Sequence, residues 1–256
     1  MGKGKTKLDL PNPELQERNE DTRQDQQVEE AKRSNLSDVL ITVADPASAA
    51  SETYRMIRTN LLYSSVDKQS EAVLVTSPGP SEGKSTTCAN LGVVMAQTGK
   101  STLIIDCDFR RPTMHKLFKL RNFRGVTNIV MGECSPQEVW QEPLEGLKII
   151  PVGQIPPNPA ELLSSRSFAQ FLEQVRKQFD YVLIDAPPTS IVTDPAIIAT
   201  HADGVLLVLD AQNTRKSSLI KAVRSIEAVG AKVLGTVLNN IESRPGGYYS
   251  YNYVYK

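Results

Sequence analysis

From Ala72 to Leu238 the chain alternates short apolar runs with helical patterns. The runs are Ala72 to Thr76, Thr102 to Ile105, Leu147 to Val152, Tyr181 to Ile184, Val205 to Leu209 and Val233 to Leu238. Each is continuous in apolar character rather than alternating, the pattern of strands covered on both faces. Strands of this kind separated by helices predict an α/β fold: a mostly parallel central sheet flanked by helices on both faces. Upstream, Asp45-Pro46 reads as a helix start, a capping residue followed by proline at the first helical position. That helix is expected to reach about Tyr63, with Tyr54, Ile57, Leu61 and Leu62 on one face.

The two ends depart from this pattern. Residues 1–35 are rich in Lys, Glu, Asp, Gln and Arg and nearly lack aromatic and β-branched residues. Such a segment buries too little apolar surface to offset the entropy of ordering it, which predicts a disordered arm. At the other end Pro245-Gly246-Gly247 breaks the pattern, and Tyr248, Tyr249, Tyr251, Tyr253 and Tyr255 follow. The expected organisation is an arm (1–35), one folded domain (36–244) and a flexible tyrosine-rich tail (245–256).

Composition narrows the partners. The 256 residues carry a formal net charge of zero, so no global field draws the chain to nucleic acid or anionic lipid, and no nucleic-acid partner is expected. No apolar run approaches the ~18 residues that span a bilayer. Lys3, Lys5 and Lys7 have no apolar stretch behind them, so a secretory signal is not expected. Cys88, Cys107 and Cys134 are odd in number, with spacings that suit neither a zinc cluster nor a disulfide framework. They read as reduced thiols in a cytosolic protein.

The candidate chemistry lies at the ends of three predicted strands. After Ala72 to Thr76 comes the turn-rich Ser77-Pro78-Gly79-Pro80-Ser81-Glu82, and Gly83-Lys84-Ser85-Thr86-Thr87 then opens a helix. Strand, loop and helix around Gly-Lys-Ser is the setting of a phosphate-binding loop, hence of a P-loop NTPase fold. In it, Gly79 through Thr86 cradle the phosphates of ATP with backbone N–H groups at a helix N-terminus. Lys84 reaches the β- and γ-phosphates, and the Ser85 hydroxyl ligates Mg²⁺. One departure is Pro78, where the strict pattern has glycine. The second strand leads into Asp106-Cys107-Asp108-Phe109-Arg110. Alternation sends Asp106 and Asp108 to one side, where either can meet Mg²⁺ or take a proton from an incoming hydroxyl; Cys107 is then a spacer. The third strand ends in Asp185, placed to hold the metal or its waters.

These three elements together resemble the bacterial tyrosine kinase family, P-loop kinases that control capsule and exopolysaccharide synthesis. The Asp-x-Asp-x-Arg segment matches the family's additional Walker A′ motif at Asp106, Asp108 and Arg110. Pro80, Glu82, Gly83, Lys84 and Ser85 match its loop, and Glu52, Arg55 and Arg58 match its Glu-x-x-Arg-x-x-Arg helix. Pro157 to Ser164 and the C-terminal tyrosine cluster match as well. The resemblance runs from about Ala44 to Lys256 and is closest to the Gram-positive form, in which the transmembrane activator is a separate protein. It implies an ATP- and Mg²⁺-dependent protein-tyrosine kinase that phosphorylates its own tail between subunits. It also implies a ring-shaped homo-oligomer when unphosphorylated, a transmembrane adaptor of the polysaccharide co-polymerase kind, a cognate tyrosine phosphatase and further protein substrates. The place of action it implies is the cytoplasmic face of the membrane, through the adaptor.

Other readings remain open at this level. A partitioning ATPase shares the fold expectation, but its signature lysine would fall at Gly79. An ATP-gated, non-catalytic scaffold of the polysaccharide machinery, with tail tyrosines serving another kinase, is a further alternative, against which the intact Lys84, Ser85, Asp106, Asp108 and Asp185 argue. Glu52 and Arg55 can pair on a helix surface as well as between subunits. Asn239, after the last strand, is a candidate adenine contact.

Overall fold

The computed structural model describes residues 36–63 and 71–241. The arm, Pro245-Gly246-Gly247 and the tail tyrosines lie outside the described residues. Among the described residues the first elements are a short helix α1 (Ile41–Ala44) and a longer α2 (Ala49–Leu62). Then follow β1 (Ala72–Thr76), α3 (Lys84–Ala96), β2 (Thr102–Asp106), α4 (Met114–Leu117), α5 (Val126–Val130), α6 (Pro136–Val139), β3 (Gln141–Leu144) and β4 (Leu147–Ile150). The remainder is α7 (Pro159–Leu163), α8 (Arg166–Arg176), β5 (Tyr181–Asp185), α9 (Asp194–Ala199), β6 (Gly204–Asp210), α10 (Lys216–Glu227) and β7 (Val233–Asn239).

The sheet has seven strands in the order β3-β4-β2-β5-β1-β6-β7. Only the β3–β4 pair is antiparallel. Each face carries its own apolar layer. Phe109, Phe168, Phe171 and Leu172 pack on one side, and Leu40, Leu61, Leu91, Met95 and Phe118 on the other. Four of the five inner strands, β1, β2, β5 and β6, are buried at every residue, as continuous apolar runs require. Helix α3 is nearly as buried, because the sheet covers one side and α1 with α2 the other. Its Gly92 permits that approach: a Cβ there would stand 2.5 Å from Ile104 Cδ1.

Three expectations are corrected. The helix does not start at Asp45-Pro46. Asp45 caps the end of α1, and Ser48 caps α2 by accepting the Ser51 N–H at 3.2 Å. The Asp45 carbonyl accepts both the Ser48 and Ser51 hydroxyls, so a turn fills the gap between the helices. The final strand is not covered on both faces: β7 is an edge strand whose residues are half-buried or exposed. Strand β3 went unpredicted because its Gln-Glu-Pro-Leu sequence is mostly polar and contains proline, which sheets tolerate at an edge. Tyr54, Ile57, Leu61 and Leu62 of α2 do pack together against the core.

Candidate active site

Parallel strands point their C-terminal ends the same way, and β1 lies between β5 and β6, with β2 beyond β5. The loop leaving β1 therefore sits beside the end of β5 and one strand from the end of β2. Registration fixes the depth: Asp106 pairs with Asp185 across β2 and β5, and Val75 of β1 also pairs with Asp185. Two carboxylates are thus placed side by side at the foot of the phosphate-binding loop by sheet geometry alone.

The loop's shape depends on two positive-φ residues, Ser81 (61°) and Gly83 (92°). Gly83 is required twice over, since a Cβ there would also lie 2.1 Å from Asn239 Nδ2. The Glu82 side chain turns into the protein. One of its oxygens accepts the Gly79 N–H at 2.9 Å and the other accepts the Thr214 hydroxyl. Asn239 Nδ2 donates to the Glu82 carbonyl at 3.3 Å. A carboxylate, the loop residue Thr214 and the end of β7 thus brace the phosphate-binding loop.

Lys84 is the hub of the charged cluster. Its Nζ lies 2.8 Å from Asp108 Oδ2 and 3.6 Å from Asp185 Oδ1, and donates to Ser85 Oγ at 2.9 Å. Burial disfavours this ammonium, but the charges of Asp185 and Asp108 outweigh it and leave its pKa raised. Ser85 donates to Asp185 Oδ2 at 2.6 Å. Burial pushes the Asp185 carboxyl above its usual range despite Lys84. Burial and the Asp185 charge raise Asp106 to about 7. Asp106 spends its oxygens on the loop that follows β2: Oδ1 accepts the Asp108 N–H at 3.1 Å, and Oδ2 accepts those of Thr113 and Met114 at 2.9 and 3.0 Å.

Whether Mg²⁺ fits can be judged from the acceptors. Asp185 Oδ1 is buried and has no hydrogen-bond partner among the described residues, and the Ser85 hydroxyl is bound to the other oxygen of the same carboxylate. The Lys84 ammonium stands 3.6 Å from Oδ1, beyond hydrogen-bond distance, so the oxygen remains open to a metal ion or its water. No group of three or more His, Cys, Asp or Glu among the described residues forms a metal cage. Mg²⁺ does not need one, since it takes one or two carboxylates and fills its shell with water and phosphate oxygens. The residues present fit that ion.

A cleft of about 530 Å³ opens over the cluster, lined by Pro80 to Ser81, Gly83 to Thr86, Asp108 and Arg110. Arg111, Thr113, Pro187, Pro188 and Ile191 complete its wall. These last five were not singled out in the sequence. The signal was present for the prolines, which follow Asp185 after a single alanine and are pinned by the Thr76 hydroxyl donating to the Pro187 carbonyl at 2.6 Å. Glu52, Arg55 and Arg58 lie apart from the cleft on α2. Arg55 pairs with Glu52 at 2.9 Å and donates to the Pro46 carbonyl, while Arg58 donates to the Val94 carbonyl at 2.7 Å. Cys88 and Cys107 are buried and Cys134 half-buried, all free thiols.

Comparison with known proteins agrees with this geometry. Residues 79–237 match the family model of an AAA domain. The Tyrosine-protein kinase YwqD of Bacillus subtilis is 40% identical over 219 residues, 85% of this chain and 92% of that protein. The chimerical protein CapA2B2 superposes with a TM-score of 0.78 at 36% identity, covering 84% of this chain and 100% of the other. The kinase domain of the Escherichia coli tyrosine kinase ETK superposes at 0.77 with 31% identity, covering 84% of each chain. A plasmid partition protein from Borrelia burgdorferi, at 18% identity, with 66% of this chain and 78% of that one covered and a TM-score of 0.55, shares the fold alone. No helix among the described residues is long and apolar enough to cross a membrane.

Proposed function

We propose a reaction from the premise that this chain belongs to the bacterial tyrosine kinase family: transfer of the γ-phosphoryl group of ATP to tyrosine hydroxyls, including those of its own tail. The observation that carries it is the meeting of Lys84, Ser85, Asp108 and Asp185 at one end of the sheet, beneath an open cleft. Phosphoryl transfer needs positioning and countercharge more than covalent chemistry.

In this reading Ser85 and Asp185, with Asp106 beside them, hold Mg²⁺, which neutralises charge on the phosphates when bound. The backbone from Gly79 to Thr86 seats the phosphates. Lys84 exchanges its contact with Asp108 for the β- and γ-phosphates. That exchange frees Asp108 Oδ2 to accept the proton of an incoming tyrosine hydroxyl. The Lys84–Asp108 contact thus holds the base in reserve until nucleotide arrives. Arg110, on the cleft wall, faces the transferring group. Asn239, whose side chain donates to the Glu82 carbonyl of the loop, would contact the adenine.

Acceptors in this reading are Tyr248, Tyr249, Tyr251, Tyr253 and Tyr255, and transfer runs between subunits of a ring that uses Glu52, Arg55 and Arg58. A transmembrane adaptor holds the ring at the cytoplasmic face of the membrane. A cognate phosphatase resets the tail, and the cycle regulates capsule or exopolysaccharide synthesis and export. The test uses the purified chain with ATP and Mg²⁺. Wild type should acquire phosphotyrosine and Lys84→Met should not. A variant with all five tail tyrosines changed to phenylalanine should restore phosphate on a Lys84→Met partner with an intact tail. If wild type is modified while that partner stays unmodified, transfer is within one chain and the ring reading fails.

A further inference from the structure

Asp194, the first residue of α9, is fully buried. Neither of its carboxylate oxygens has a hydrogen-bond partner among the described residues. An ionised carboxylate in that position is costly unless a cation compensates it. The cation present is Arg110, whose Nε lies 3.4 Å from Asp194 Oδ2, close enough for an ion pair though outside hydrogen-bond geometry. The two residues come from different parts of the fold. Arg110 leaves the end of β2 through the Asp-x-Asp-x-Arg segment, and Asp194 follows the Pro187–Pro188 segment after β5. The environments are unequal: the Asp194 side chain is 1% exposed and the Arg110 side chain 43%. The aspartate is therefore fixed by packing, while the arginine would otherwise be free to swing in the cleft it lines.

We infer that Asp194 is a positioning residue that holds Arg110 over the phosphate cleft. An arginine side chain has many rotamers to lose, and its fork of donors acts on a phosphoryl oxygen only when aimed. Engagement through Nε restrains the side chain near its root and leaves the two Nη groups for an anion in the cleft. The arrangement also ties the segment after β2 to the segment after β5, so both walls of the cleft move together. The inference rests on the kinase reading above for what Arg110 acts upon, but the pairing rests on geometry alone.

The test is a cycle of Arg110→Ala, Asp194→Asn and the double variant, read for phosphotyrosine formation, ATP affinity and melting temperature. Asp194→Asn keeps the volume and removes the charge. It should lower kcat by up to ~10²-fold, the scale that misplacement by about 1 Å costs, while ATP affinity changes by less than about threefold. Arg110→Ala should lower kcat at least as far, and the double variant no further. The melts give an independent reading: Arg110→Ala, which strands the buried carboxylate, should melt lower, and adding Asp194→Asn should restore the loss. Full activity in Asp194→Asn, losses that multiply in the double variant, or no thermal rescue overturns the inference. If wild type forms no phosphotyrosine the kinase reading is what fails, and the thermal cycle still decides the pairing. Should Asp194→Asn not fold, Asp194→Glu, which keeps the charge, must retain more activity than a refolded or residual Asp194→Asn sample.

Discussion

At the C-terminal end of β1, β2 and β5, three carboxylates and a lysine are buried together, whereas on α2 a glutamate and two arginines lie near the surface. The Lys84 and Asp108 side chains are 11% and 4% exposed, against 28% and 63% for Arg55 and Glu52. The ion-pair distances are alike, 2.8 Å and 2.9 Å, so distance does not separate the two sites. Surroundings do. Attraction between unit charges grows several-fold as the effective dielectric falls from that of water to that of a protein interior. So does the cost of leaving either charge alone. The α2 pair is a surface contact worth at most about 1 kcal/mol. The buried cluster sets one lysine against three carboxylates; burial and this excess of negative charge raise the Asp106 and Asp185 carboxyls, and a bound cation would relieve the excess. That is an expensive arrangement for stability and a useful one for phosphoryl transfer.

The sharpest way to break the comparison is to remove the central cation. Lys84→Met should reduce phosphotransfer by at least ~10²-fold, because the γ-phosphate loses its countercharge in the transition state. It should also destabilise the nucleotide-free protein at neutral pH by about 3–5 kcal/mol, the cost of breaking a buried pair. Denaturant unfolding at pH 7 measures this. An unchanged midpoint means that water already reaches the carboxylates and that the cluster is no different in kind from α2.

An intermediate case lies at the opposite end of the sheet. Asp203 Oδ2 accepts the N–H groups of Glu71 and Ala72 at 3.0 and 2.9 Å, and Oδ1 accepts Arg176 Nη2 at 2.6 Å. Burial pushes this carboxyl up, but the Ala72 N–H and Arg176 together outweigh it and hold its pKa below the usual value. Asp203→Asn should cost about 1.5–3 kcal/mol, the range for hydrogen bonds to a charged group. A depressed pKa means that the folded state favours the ionised form. The contribution is therefore complete above the unfolded value of about 3.9 and is lost as pH falls from there through the folded value. Unfolding of wild type and Asp203→Asn should differ fully at pH 7, and the difference should shrink as pH falls below about 3.9. A constant difference across that range assigns the loss to shape rather than charge.

What the sequence disclosed divides along a related line. Strand-end aspartates such as Asp185 and Asp106 were legible because an apolar run fixes both the strand and the end at which it stops. All six apolar runs became strands, and four of them, β1, β2, β5 and β6, are buried at every position. Strand β3 was not legible because an edge has few apolar obligations, and Pro143 reads as a break. The start of α2 was misplaced for a local reason: Asp45 and Ser48 are both good caps, and only the turn between them decides which one the helix uses. The side-chain roles of Glu82 and Asp194 were invisible because each depends on a partner brought close by the sheet. Thr214 meets Glu82, and Arg110 meets Asp194, only after β5 and β6 flank β1.

The smallest effect tests the other half of the comparison. If Glu52 and Arg55 form only the surface pair seen within the chain, Glu52→Ala should change stability by less than about 1 kcal/mol and nothing else. Arg58→Ala should cost about 1 kcal/mol, because its bond to the Val94 carbonyl ties α2 to α3 across a part-buried contact. A proposed ring interface on this helix adds a different signature. Contacts between subunits make apparent stability depend on protein concentration, whereas contacts within a chain do not. Melting Glu52→Ala and wild type across a hundredfold range of concentration, with the mass of each measured in solution, separates the two roles. The expected result is a wild-type melting temperature that rises with concentration and a Glu52→Ala protein that stays monomeric with a flat profile. A flat profile in both, or an unchanged oligomer in the variant, would reduce α2 to the surface ion pair that its exposure alone suggests.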